Sequence, residues 1–181
     1  MQNFDRPGEI LEQTRIVEQF LDCVRFDTQS DEASETCPST SNQLELGRHL
    51  VGRLKELGLG NATMSEHGYV LAELPGNADG AIGLCAHLDT APAFSGTGVK
   101  PQLHEHYDCT PIRLKEGVVI DPAESPELLQ CQGDTIITAD GTTLLGADDK
   151  AGIAAILGAL EVLRDQPGIR HPTLKICFNP D

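Results

Sequence analysis

The sequence predicts an α/β domain, a mostly parallel sheet flanked by helices. Three observations carry this. Two short apolar runs without helical period, AIGLCAHL at 81–88 and TLKICF at 173–178, read as strands buried on both faces. Between them lies AGIAAILGALEVLR at 151–164, a helix with Ile153, Ile156, Leu157, Leu160 and Leu163 on one stripe. The composition, 39% hydrophobic and 23% charged over 181 residues, suits one ordinary folded domain and is too short for two large ones.

The remaining elements follow in chain order. Residues 9–26 carry Ile10, Val17, Phe20, Leu21 and Val24 at helical spacing, which predicts one amphipathic helix. The polar, acidic stretch 27–41 is a loop. Thr40 and Gln43 have the capping-box pattern, and a second helix follows with Leu44, Leu50, Val51, Leu54 and Leu57, closed by Gly58 and Gly60. Residues 62–65 and 68–73 have strand character, the second ending at Pro75-Gly76-Asn77. Residues 91–133 form a long loop-like insertion in the 1–181 domain, with a strand-like patch at 118–120. Residues 135–146 read as a hairpin turned by Asp140-Gly141. There is no internal repeat.

Charge narrows the function. Lys plus Arg number 13 against 28 Asp plus Glu, a net charge of −15. Such an excess argues against binding a phosphate backbone or an anionic membrane surface, so neither nucleic acid nor membrane is an expected partner. It suits a site that concentrates cations. No run approaches the roughly 18–20 apolar residues of a membrane span, and MQNFDRPGEI has no secretory pattern. Six scattered cysteines without a CxxC read as reduced thiols, so the expected location is the cytoplasm.

Ligands of open α/β sheets bind beyond the carboxyl ends of the strands. His87-Leu88-Asp89, Asp148 and Asp181 lie at such places. His87 can give one imidazole nitrogen to a metal while Asp89 holds the other N–H, which fixes the tautomer. A hydrogen-bonded surface pair explains the same two residues. Asp148 and Asp149 precede the 151–164 helix. A carboxylate there either caps the helix or bridges two divalent cations. Cys85 shares a strand face with His87, but the spacing of about 6.5–7 Å suits proton transfer poorly. It reads as a small buried residue. His104-Glu105-His106 lacks a third ligand at helical spacing and reads as solvated loop, while His49, His67 and His171 have no partner pattern. Neither a P-loop nor a G-x-S-x-G elbow is present.

Taken together, FDTQSDE (26–32), PSTSNQLELG (38–47), GYVLAELPGN (68–77), AHLDT (86–90), FSGTGVKPQ (94–102), DTIITADGTTLLGADDKAG (134–152) and FNPD (178–181) resemble the peptidase T family. These are tripeptide aminopeptidases among the M20 di-zinc peptidases. The resemblance is to the N-terminal part and runs over nearly the whole chain in order. It implies a zinc-peptidase catalytic domain without its smaller inserted domain. It also implies that His87 is a zinc ligand, that Asp89 orients it and is counted as catalytic, and that Asp148 bridges two zincs. The Asp148–Asp149 peptide matches one that is cis in the family. Two glutamates follow the FNPD-like segment in the family, a general base and a zinc ligand; Asp181 matches the acidic residue before them. The expectation is therefore a cytoplasmic, zinc-dependent tripeptide aminopeptidase, inactive as an isolated 181-residue chain, with homodimers expected only of the complete enzyme. The alternatives are another M20-type hydrolase, such as an N-acyl amino acid deacylase, and a non-catalytic binding module.

Overall fold

The computed structural model describes residues 7–181. It divides into two compact units, one running through Pro92 and resuming at Gly146–Asp181, the other Ala93–Leu145.

The first unit holds helices α1 (Pro7–Gln13), α2 (Ile16–Cys23), α3 (Gln43–Glu56) and α4 (Ala147–Asp165) and strands β1 (Thr63–Met64), β2 (Val70–Leu74) and β3 (Ala81–His87), with one further strand at Thr173–Asn179. That last strand lies between β2 and β3 in a four-stranded sheet. It runs antiparallel to β2 and parallel to β3, while β1 and β2 are antiparallel. The α/β class is as expected. The sheet is mixed, however, and the expected parallel pairing holds only along β3.

Strand alternation sorts the side chains. Val70 and Ala72, Leu174, Ile176 and Phe178, and Ala86 join Leu46, Leu50 and Leu54 of α3 and Ile153, Leu157 and Leu160 of α4 in one buried cluster. α3 packs on β1 and β2, α4 on β3, and α2 on α4. The opposite face carries Leu71, Cys85, Lys175 and Cys177, of which the first three are exposed. The expectation that 81–88 and 173–178 are buried on both faces is therefore corrected. Among the described residues, helices cover one face, and β3 is an edge strand whose Ile82 is 49% exposed.

Local chemistry sets the helix ends. The single helix expected over 9–26 is two. The Thr14 hydroxyl bonds back to the Ile10 carbonyl, and the Arg15 N–H leaves the helical pattern for the buried Glu161 carboxylate at 2.8 Å. α3 ends in a Schellman motif. Gly58 takes φ +93°, its N–H bonds to Lys55 O, and Leu59 N–H bonds to Leu54 O. The capping box at Thr40 and Gln43 does not form. The Thr40 hydroxyl donates to Gln29 O, and the Gln43 amide donates to that hydroxyl.

The second unit is more ordered than a plain loop. It contains β4 (Gln102–His104), β5 (Ile112–Arg113), β6 (Val119–Ile120) and β7 (Ile136–Thr138), paired β4–β7 and β5–β6, both antiparallel. With these numbered, the sheet strand Thr173–Asn179 is β8. The hairpin expected over 135–146 is absent, because β7 finds its partner in β4 instead. Asp140 still makes a turn. Its carboxylate accepts the Thr142 hydroxyl and N–H and the Lys115 ammonium, which together hold it far below the usual carboxylate range.

The difference between the cluster and the sheet edge gives a mutational contrast. Leu157→Ala, deep in the cluster, should lower stability in urea by about 2–5 kcal/mol. Ile82→Ala on the sheet edge should stay within about 1 kcal/mol of the parent.

Candidate metal centre

His87 is the last residue of β3. Its Nδ1 lies 3.0 Å from both the carbonyl oxygen and the Oδ1 of Asp89. Two acceptors on Nδ1 assign the proton to that nitrogen. Nε2 faces the other way and lies 3.0 Å from Asp148 Oδ1. Residues 61 positions apart thus meet at the rim where β3 ends and α4 begins. Burial lowers the His87 pKa, but the hydrogen bond to Asp148 and the charges of Asp89 and Asp148 outweigh it, and the net shift is upward.

The start of α4 separates the roles of its two aspartates. The Asp148–Asp149 peptide is cis. Both residues have non-helical dihedrals, with Asp148 at φ −91°, ψ 106°. Asp149 Oδ1 accepts the Gly152 N–H at 3.1 Å, so Asp149 supplies the helix cap. A Cβ at Gly152 would collide with that carboxylate. Asp148 is relieved of capping, and its side chain is 95% exposed. Gly146, two residues earlier, takes φ +76°, and a Cβ there would press on Thr90.

Lys150 anchors this corner. It is 2% exposed, and its Nζ donates to Phe26 O at 2.7 Å, which ties the first turn of α4 to the chain leaving α2. Burial lowers its pKa to about 8. Nothing in the sequence marked Lys150 as buried, since a lysine in a helix's first turn is ordinarily a solvated charge.

The donors suit a divalent cation. Two ligands on one tetrahedral zinc, with bonds of about 2.0–2.2 Å, stand roughly 3.3 Å apart. The His87 and Asp148 donor atoms are already 3.0 Å apart. Asp148 offers a second oxygen to solvent. Among the described residues there is no group of three or more His, Cys, Asp or Glu side chains disposed to hold a metal.

The other candidates lie elsewhere. Asp181 is held by Ser39, whose N–H (2.8 Å) and hydroxyl both donate to its carboxylate, while its own N–H donates to Gln43 Oε1. Burial raises its pKa, the Ser39 bonds lower it more, and the net is downward. Sequence reasoning did not single out Ser39, and it read the fully buried Gln43 only as a helix cap. Both meet Asp181 only once the end of β8 is folded beside them. Cys85 is exposed rather than buried, and its S–H donates to Asn179 Oδ1 at 3.1 Å. His104 bonds to the Thr138 hydroxyl, and His49 packs on Phe26 with ring centroids 5.1 Å apart.

No family model matches the chain. Curated relatives do. The chain is 50% identical over 173 residues to peptidase T of Brevibacillus brevis, covering 93% of this chain and 42% of that protein. It is 50% identical over 171 residues to peptidase T of Bacillus mycoides, with 92% and 42% covered. This chain is related to peptidase T. It matches the N-terminal part of these relatives and spans about two-fifths of their length. Two solved structures agree in fold. Aminopeptidase PepT of Bacillus cereus superposes with a TM-score of 0.60 at 25% identity, covering 92% of this chain and 36% of that one. A tripeptidase of Staphylococcus aureus gives 0.59 at 23%, with 92% and 36% covered. Among the described residues, no helix is long and apolar enough to cross a membrane.

The division of labour between the aspartates predicts opposite phenotypes. Asp149→Ala should cost about 1 kcal/mol of stability through the lost cap, whereas Asp148→Ala should leave the thermal midpoint unchanged at a pH above the raised His87 value, where the ring is neutral. In the metal-free chain the His87 ring should titrate above its ordinary 6.5 by NMR, and Asp148→Asn should bring it down. Because protonation is favoured in the folded state, the stability His87 contributes is present below pH 6.5. It is lost as pH rises through the elevated value.

Proposed function

We propose that this chain provides the N-terminal half of a two-zinc aminopeptidase site, and that the reaction is removal of the N-terminal residue from tripeptides in the cytoplasm. The observation that carries the reading is the His87 imidazole, oriented from behind by Asp89 and facing the exposed Asp148 carboxylate at 3.0 Å. The 50% identity to peptidase T and the likeness to PepT support the substrate class.

Each residue has a separable task. Asp89 accepts the Nδ1–H, so the Nε2 lone pair points at the site and becomes more basic. Asp148 has one oxygen toward His87 and another free, which fits a carboxylate shared between two cations. Lys150 and Asp149 hold the backbone that presents it. Zinc bound here would polarise the scissile carbonyl and lower the pKa of the attacking water. The excess of 28 acidic over 13 basic residues favours cation accumulation. The resemblance assigns the general base and further ligands to positions following the FNPD segment.

Zinc calorimetry and peptide turnover test this together. Two protein ligands fall short of the three of a catalytic zinc, so the 181-residue polypeptide should bind zinc weakly and cleave tripeptides negligibly. His87→Ala and Asp148→Ala should each abolish the heat of binding. A chimera carrying residues 7–181 in place of the matching segment of the Brevibacillus brevis relative should cleave tripeptides. Asp89→Asn should slow that chimera by about 10–100-fold. A folded, zinc-loaded chimera without tripeptide turnover would overturn the assignment, as would zinc binding unaffected by loss of His87.

A further inference from the structure

The face of the sheet that no helix among the described residues covers carries a pair of thiols that the metal centre does not use. β3 and β8 run parallel with Cys85 opposite Cys177. In-register neighbours stand about 4.8 Å apart between strands. That lies within the Cα separations that two sulfurs can span, about 4.4–6.8 Å. Alternation sends Leu84 and Ala86, with Ile176 and Phe178, toward the helices, so both cysteines project from the other face. Cys85 is exposed and Cys177 half-buried. Burial, and then the neighbouring Cys85 thiol, push the Cys177 thiol above its ordinary range. Gly83 precedes Cys85 on the same face, and a Cβ built there meets nothing within 4 Å, so a ligand has room beside the sulfurs. Asn179 accepts the Cys85 S–H at 3.1 Å and holds that side chain over β8.

We propose that Cys85 and Cys177 form a vicinal dithiol site for thiophilic ligands that take two sulfurs at once, trivalent arsenicals being the class that fits the spacing. Capture of an arsenoxide breaks two S–H bonds and the As=O bond and forms two As–S bonds. The oxygen leaves as water carrying both protons, and no electrons are transferred. A rigid sheet holds the second thiol at high effective concentration once the first has reacted. The remaining cysteines, Cys23, Cys37, Cys109 and Cys131, have no in-register strand partner of this kind.

The test uses the reduced 181-residue chain with phenylarsine oxide, read by intact mass and peptide mapping. One equivalent should add and join the β3 and β8 peptides. The adduct should survive excess monothiol and be reversed by a dithiol. Cys85→Ser and Cys177→Ser should each weaken the monothiol-resistant adduct by about 100-fold or more, the chelate advantage of the second sulfur. Circular dichroism of both variants checks folding, and mapping on the parent chain decides the matter should either variant unfold. An adduct mapped to other cysteines, no monothiol-resistant adduct, or one that persists in either folded variant would overturn the proposal.

Discussion

The His87 imidazole is gripped from two sides, and that grip organises the site. Asp89, two residues on, takes one ring nitrogen; Asp148, 61 positions away, meets the other. A neutral ring can satisfy only one of these carboxylates as a donor. The second contact needs either a proton or a cation between nitrogen and oxygen. The net upward shift of the His87 pKa expresses that demand in the absence of metal. Proton and metal compete for the same gap, because a ligating histidine must be neutral.

The surrounding fold meets this demand through backbone rather than through a dense shell of side chains. β3 delivers His87 at its carboxyl end, and α4 packs against β3 with its first turn at the same rim. Asp149 takes over the cap that Asp148 would otherwise make, and Lys150 fastens the turn to the carbonyl of Phe26. Burying a lysine is unfavourable unless its ammonium is bonded, and here one strong bond to a carbonyl accompanies a pKa lowered to about 8. Asp181, at the end of the neighbouring strand, is directed toward Ser39 and Gln43 instead. The two strand ends therefore have different partners.

The two faces of the sheet contrast in the same way. One is a continuous apolar layer with α3 and α4. The other is thin in apolar bulk, with Gly83, Cys85, Lys175 and Cys177. A run such as AIGLCAHL is apolar at nearly every position, which is the pattern of a strand covered on both sides. Which side is covered depends on where helices lie, and no local signal in the run records that. The same limitation explains the missing hairpin at Asp140-Gly141. The turn chemistry was present and is used, but the strand partner of Ile136–Thr138 is Gln102–His104, set by pairing rather than by the turn.

By itself the sequence determined the element types of the first unit, the helical stripe of α4, the glycine closure of α3 and the candidates His87, Asp89 and Asp148. Those depend on periodicity, turn chemistry and short spacings, which are local. Only the tertiary structure decided that the sheet is mixed, that 9–26 breaks where Glu161 captures the Arg15 N–H, that Asp149 rather than Asp148 caps the helix, and that Lys150 is buried. The physical reason is the folded environment. The mixed sheet, the break at Arg15 and the burial of Lys150 are each settled by contacts between residues far apart in the chain, and the Asp149 bond to Gly152, though local, depends on the backbone path into α4 that the folded rim sets.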